Sequence, residues 1–214
     1  MAELNEDGLG NLWLRNLDSV STYIHKGLIP AAKRARNELP TIIRPGGLGD
    51  LVILTRACIE VGIDPRAIRW WVETRNAPWA DWLSLEHYCY DRFKDFTAAV
   101  MGQFASTVTI NSEQTYGLST LFGRRLAVRN GQYWGYSTNR RYDLYTNCLD
   151  YSLSTHELEM FKLMLNSAFE ISNSKPLDVE QFSPPKDRSL EEPYSIVALA
   201  GFQAPEKALS KLEW

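Results

Sequence analysis

The sequence predicts an α/β fold: a Rossmann-like, doubly wound parallel sheet. Three observations predict it. Short runs rich in β-branched and aromatic residues alternate with stretches of helical periodicity, as βαβ units require. The first of these runs breaks into a glycine-rich turn that opens at once into a helix, "TIIRPGGLGDLVILTRACIEVG", Thr41 to Gly62. A late run, "YSIVALAGF" (194–202), is apolar throughout, the pattern of a strand buried on both faces.

Residues 1–40 are expected to form a mostly helical N-terminal extension. Leu12, Leu14, Leu17, Val20, Tyr23 and Ile24 recur near helical spacing, and Lys26, Lys33, Arg34 and Arg36 follow. Two readings stand for it: a helix packed on the body of the protein, or a basic amphipathic segment resting on an anionic membrane surface. From residue 41 the expected order is a strand at 41–45, a helix from Gly49 to Val61, and a strand at 67–74 with Trp70, Trp71 and Val72 at its centre. Next come a helix at 91–104, the strand "STVTIN" (106–111), a helix at 115–127 and an irregular aromatic segment at 131–145. Ser154 followed by Glu157 has the spacing of a capping box, and Leu158, Phe161, Leu165 and Phe169 continue as a helix. The expected domain therefore covers 41–171. The polar, proline-punctuated stretch 172–193 reads as a linker, and 194–214 as the opening of a second domain.

Composition narrows the function classes. With 214 residues, 44% hydrophobic and 23% charged, the chain can bury a real core. A net charge of −3 argues against a general affinity for nucleic acid. Cys58, Cys89 and Cys148 include no Cys-x-x-Cys pair, and His25, His87 and His156 lie far apart, so a disulfide framework or a metal site is not expected. A start that is acidic rather than signal-like, with no run of membrane-spanning length, predicts a cytoplasmic protein.

The glycine turn poses the functional question. It lacks the third glycine of a dinucleotide fingerprint, because Val52 stands there, and it lacks the Gly-Lys-Ser/Thr of a phosphate-binding loop. What it offers is Asp50 in the first turn of a helix. Asp50 either serves the helix N-terminus alone, or stands at the carboxyl end of the first strand, where open α/β sheets bind ligands. There a helix N-terminus favours the ionised carboxylate, which can accept a proton, and Gly46, Gly47 and Gly49 let a substrate come close to the backbone. Between Gln114 and Tyr142 there is no acidic residue, while Arg124, Arg125, Arg129, Arg140 and Arg141 are present. Such a patch suits phosphate and carboxylate groups, or is a solvated face. Trp70 and Trp71 are expected in the core, and Trp79, Trp82 and Trp134 are the candidates for stacking on a sugar.

"IIRPGGLGDLVILTRACIEV" resembles the start of glycosyltransferase family 9, the ADP-heptose:lipopolysaccharide heptosyltransferases. Further segments resemble the family in the same order: "IRWWVETRNAPW", "TVTINSEQTYGLSTLFGRRLA", "GYSTN", "DYSLSTHELEMFKLML" and "IVALAGFQAPEKALSKLEW". The resemblance spans 41–214, although Leu209 and Ser210 stand where the family writes Trp-Pro. It implies the N-terminal, acceptor-binding half of a GT-B architecture with the start of its donor half. It implies an inverting, metal-independent sugar transfer that uses no cofactor and takes a nucleotide-sugar, ADP-heptose, as donor and an acidic glycolipid or saccharide as acceptor. By position it implies that Asp50 is the general base and that Lys207 meets the donor phosphates. The arginines would then bind the acidic acceptor. Peripheral contact with the inner membrane surface fits the same reading. On the resemblance, this chain is incomplete and inactive alone. The alternative is a non-catalytic sugar- or partner-binding half-domain completed by a second chain.

Overall fold

The computed structural model describes residues 12–21, 23–35, 39–115, 117–172 and 175–182. Six strands form one sheet: β1 (Thr41–Ile43), β2 (Arg69–Val72), β3 (Glu86–Cys89), β4 (Ser106–Asn111), β5 (Ala127–Tyr136) and β6 (Asn147–Leu149). Their spatial order is β3-β2-β1-β4-β5-β6, and every neighbouring pair is parallel. This is the doubly wound order, with its reversal between β1 and β4. The fold class expected from the sequence is the one observed.

Parallel strands must be covered on both faces, and the alternation of side chains decides how. Ile42, Trp70, Val72 and Ile110 point to one face, where α2 (Leu48–Glu60), α3 (Ala77–Trp82) and α6 (Glu157–Ala168) bury them with Leu51, Leu54, Ala80, Phe161 and Leu165. Ile43 and Trp71 point to the other, against α4 (Phe93–Val100) and α5 (Gly117–Leu126) through Ala99, Phe122 and Leu126. Trp70 and Trp71 are both fully buried, as the sequence led us to expect. Trp71 makes edge contacts with Phe104 and Phe122 at centroid distances of 5.4 and 4.9 Å, geometry that aromatic quadrupoles favour.

Within the N-terminal extension the described helix is α1 (Leu12–Ser21) alone; a short 3-10 turn at Lys26–Leu28 follows, so the expected helical continuation does not form. Gly27 and Pro30 break it. The segment is packed. Asp18 Oδ1 accepts from Leu118 N–H at 2.9 Å, Arg141 Nη1 donates to Ser21 O at 2.6 Å, and Ala32 forms a bridge beside Val128. Asp18 thus supplies, from a distant part of the chain, a carboxylate to the first turn of α5, where orphan N–H groups need one. Between this segment (Val20, Ile24, Leu28) and α4 and α5 (Phe96, Leu121, Arg125) lies an apolar cavity of about 460 Å³.

Four sequence expectations need correction. The stretch 131–145 is not irregular: its first half completes β5. Its glycines hide the strand pattern, yet each answers a close approach. A Cβ on Gly131 would lie 2.5 Å from Thr107 O, and one on Gly135 would lie 2.0 Å from the Tyr145 ring. The short, half-polar β3 and β6 and the one-turn-and-a-half α3 carry too little pattern to have been expected. The capping box does not form. His156 Nδ1 caps Leu158 N–H at 3.2 Å and Ser154 bonds Ser152, which frees the Glu157 side chain. Finally, residues 175–182, expected inside the linker, are held on α2. Leu177 N–H donates to Ile59 O at 2.9 Å, and Phe182 is buried beneath the Arg66 guanidinium at 4.7 Å. Residues 183–193 and the expected strand and helix of 194–214 lie outside the described residues.

Gly135→Ala should destabilise the domain by about 1–3 kcal/mol, the usual cost of overpacking, because Tyr145 is pinned by its hydroxyl to Asn111 at 2.9 Å and cannot swing away. Urea unfolding checks this: the midpoint falls while the slope with denaturant stays constant. An unchanged midpoint would mean that Tyr145 is free to move.

Candidate functional site

The candidate site lies at the carboxyl ends of β1 and β4, the switch point of the sheet. After Ile43 the chain threads between its neighbours. Arg44 N–H donates to Trp71 O at 2.8 Å, while Ser112 donates its backbone N–H and its hydroxyl to Ile43 O at 3.1 and 3.0 Å. The turn that follows needs glycine at Gly46, whose φ is +103°. Gly46 is locked on both sides, its N–H by Glu73 Oε1 at 2.9 Å and its carbonyl by Asn76 Nδ2 at 2.8 Å. Gly47 is the N-cap of α2 and offers no side-chain cap. A Cβ on Gly49 would meet nothing within 4 Å, so the approach to the turn is open there.

Asp50 occupies the first turn of α2, yet no capping bond to the backbone claims it. It pairs instead with Arg44, whose Nη2 reaches Asp50 Oδ2. Arg44 is nearly buried (side chain 6% exposed) and Asp50 is partly open at 35%. The same guanidinium donates through Nη1 to Ser112 O at 2.9 Å and lies 5.7 Å from the centre of the Phe161 ring. One side chain thereby ties β1, α2, β4 and α6 together around the carboxylate.

Glu157, at the first position of α6, is the residue sequence reasoning missed. Its carboxyl accepts from Gln114 Nε2 at 3.1 Å. Burial, and after it the Asp50 charge, push the Glu157 carboxyl above the ordinary glutamate value. Tyr136 and Tyr151 border the pair with rings 5.0 Å apart, and the buried Tyr136 hydroxyl has no partner among the described residues. Glu73 stands directly after β2, where a dinucleotide fold places its ribose acid. Here it is committed to Gly46, to Arg75 at 2.6 Å and to the Tyr90 hydroxyl at 3.3 Å.

In fold, the chain is similar to known glycosyltransferases. Two structures of heptosyltransferase WaaC from E. coli, one with ADP and one with ADP-2-deoxy-2-fluoro heptose, align over 62% of this chain at 16% identity, with TM-scores of 0.48 and 0.46. A glycosyl transferase family 9 protein from Veillonella parvula aligns over 68% of this chain at 12% identity and a TM-score of 0.49. The chain spans about half the length of each, 47%, 48% and 46% respectively. No family model matches the sequence, and no curated protein matches it.

The remaining candidates scatter. Arg140 and Arg141 lie by the first turn of α5 and Arg124 and Arg125 in its last, roughly 12 Å of helix rise away. Arg125 spends its donors on Val100 O and Pro30 O, closing the C-terminus of α4 and holding the N-terminal segment. Arg141 is buried on Ser21 O and Asp143. Arg124 is half-buried, and Arg129 and Arg140 are exposed, with Arg140 N–H donating to Thr115 O at 3.4 Å. Trp79 and Trp82 meet as a tilted ring pair with centroids 4.7 Å apart beyond β2, and Trp134 Nε1 is bonded to Gln132 at 2.7 Å. Lys207 and Trp214 lie outside the described residues. Among the described residues no three His, Cys, Asp or Glu side chains converge as a metal site would, and no helix is long and apolar enough to cross a membrane.

Two outcomes follow from this geometry. Arg44→Ala should cost about 2 kcal/mol in urea unfolding. Losing a buried partner is usually worth more, but Asp50 keeps part of its hydration here. A loss below about 0.5 kcal/mol, the range of an ordinary surface change, would show that Arg44 does not hold these elements together. Glu157 gives a pH signature. Its raised folded value means that its contribution stabilises the protein below the ordinary glutamate range and is lost as pH rises through the folded value. Glu157→Gln should therefore gain urea midpoint relative to the parent between acid and neutral pH, and a difference constant with pH would contradict this.

Proposed function

We propose that the chain carries the acceptor-side domain of an inverting, metal-independent glycosyltransferase, which moves a sugar from a nucleotide-sugar donor to an acidic glycolipid or saccharide. The observation that carries the reading is Asp50: a partly open carboxylate at the switch point, oriented by a nearly buried arginine, beside a turn whose Gly49 leaves the approach clear. That geometry suits a general base. The acceptor O–H bond breaks as the oxygen attacks the anomeric carbon, and the proton passes to Asp50. The bond from that carbon to the donor diphosphate breaks on the opposite face, and the leaving group takes its electrons.

The donor class, ADP-heptose, follows from the family resemblance of the sequence, as does the role of Lys207 in meeting the charge that develops on the diphosphate. Arg140, exposed in the segment after β5, is the arginine assigned in this reading to an acidic group of the acceptor. The reading places the reaction in a reducing cytoplasm, in keeping with three free cysteines, one of them exposed. Exposed Leu28 among exposed Lys26, Lys33 and Arg34 suits contact with an anionic membrane surface.

The test is sugar transfer by the full-length protein that carries this domain, assayed with ADP-heptose and an acidic lipooligosaccharide acceptor. Asp50→Asn should lower the rate roughly 10²–10⁴-fold, the usual contribution of a positioned base, while acceptor binding persists. Transfer that survives the substitution intact would remove Asp50 from the reaction. Acceptor binding without transfer by the unsubstituted full-length protein would favour a non-catalytic binding module.

A further inference from the structure

We propose that the apolar cavity between the N-terminal segment and the α4–α5 face is a lipid site. It takes one acyl chain of an anionic bilayer lipid, with the head of that lipid against Arg125, Lys33 and Arg34. The proposal rests on the membrane contact read above and gives that contact a defined pocket; it does not rest on the role of Asp50.

The cavity measures about 460 Å³, which falls within the range of small-molecule sites and exceeds the voids that close packing leaves. An apolar cavity of about 150 Å³ takes a benzene ring, so this one has room for a chain on the order of a dozen carbons. Ile24 and Leu28 face Phe96 of α4 and Leu118 and Leu121 of α5 across it, and the one charged side chain in its wall is Arg125. Leu118 stands in the first turn of α5 and Arg125 in the last, roughly 10 Å of rise apart, so the space is elongated as a chain requires. Its mouth is apolar too. Val20, Leu28 and Val100 line the cavity and are nevertheless 56%, 74% and 39% exposed. Tyr23 and Met101, next in the chain to the lining residues Ile24 and Val100, are exposed, as is Phe93 a turn before Phe96. Single exposed apolar residues are ordinary, but a group of them around an apolar cavity marks an interaction site.

Charge decides the occupant. From Ser19 to Asn37 the sequence holds no acidic residue, while Lys26, Lys33, Arg34 and Arg36 are present. Arg125 gives Nε and Nη2 to Val100 O and Nη1 to Pro30 O, and among the described residues no carboxylate pairs with it. Arg129, whose N–H donates to Ala32 O at 2.8 Å, adds an exposed side chain beside the exposed Lys33 and Arg34. The acids on the lining helices are engaged elsewhere: Asp18 Oδ1 accepts from Leu118 N–H at 2.9 Å and Asp95 Oδ2 from Cys89 N–H at 3.1 Å. Lys26 is spent on Asp143 O. Cations therefore collect at the Pro30 end of an apolar slot, on a chain whose net charge is −3. An amphiphile with an anionic head matches that arrangement, its chain along α5 and its head at the cations. A second copy of this chain matches it poorly, because a two-fold contact would set the positive rim against itself.

The experiment mixes the 214-residue chain with phosphatidylglycerol vesicles that carry a trace of the same lipid with a diazirine at the end of one acyl chain. After irradiation, mass spectrometry should find the label on the cavity wall, in the peptides that hold Phe96 and Leu121. Leu28→Glu, at an exposed position where the fold should be spared, should cut that labelling about tenfold. Label confined to the rim at Tyr23 and Leu28 overturns the proposal and leaves surface contact with the membrane standing. Wall labelling undiminished in Leu28→Glu overturns it as well. Calorimetry with soluble alkyl phosphates of increasing length, below their micelle concentrations, needs no variant. Each added methylene should tighten binding about fourfold until the chain reaches about a dozen carbons. Affinity independent of length rules out the cavity, and soluble binding without wall labelling from vesicles rules out a bilayer source. Neither arm uses donor or acceptor, so a failed transfer assay leaves the lipid site standing, and a failed lipid site leaves the reaction proposed for Asp50 untouched.

Discussion

The Arg44 guanidinium is the interaction on which the mouth of this sheet depends. It leaves β1 at the switch point and reaches the end of β4, the start of α2 and the face of α6. An arginine suits this task because its planar fork presents several donors in fixed directions and keeps its charge when buried. A lysine could meet Asp50 but not Ser112 O in the same geometry. Because the contact joins three elements far apart in sequence, it couples the stability of the site to that of the sheet.

Both ends of α5 depend on long-range contacts of another kind. Asp18 serves the first turn of α5, Arg141 holds the end of α1, and Arg125 closes α4 while gripping Pro30. Arginines that read in the sequence as an anion-binding patch thus include two that staple the N-terminal segment to the sheet domain. That segment borders an open apolar cavity rather than filling it, which leaves the packing there less complete than under α2 and α6.

At the site, chemistry and architecture draw on the same residues. The glycine turn is shaped for closeness rather than for phosphate: Gly46 is locked by Glu73 and Asn76, and the acidic side chains around it would repel an anion placed on the turn itself. Negative charge therefore gathers beside the open approach at Gly49. A buried polar network behind it, in which Asn111 meets Ser119, Thr120 and Tyr145, holds the end of β4 at that distance from α5.

The sequence by itself determined the fold class and part of its elements, because these rest on local signals. β-branched and aromatic runs marked β1, β2 and β4, helical periodicity marked α2, α5 and α6, and a turn that only glycine could make marked the place of Asp50. Strands β3, β5 and β6 stayed hidden, for their patterns are short or interrupted by glycines whose purpose, room for Thr107 and Tyr145, exists only in the folded chain. The same holds at the site. Asp50 could be read from its place after the turn, but Arg44 looked like a strand end and Glu157 like half of a cap. Their meeting joins residues 113 positions apart, and no local rule specifies a contact of that range. Only the winding of α6 back onto the face of α2 decided that one arginine and two carboxyls would share a site.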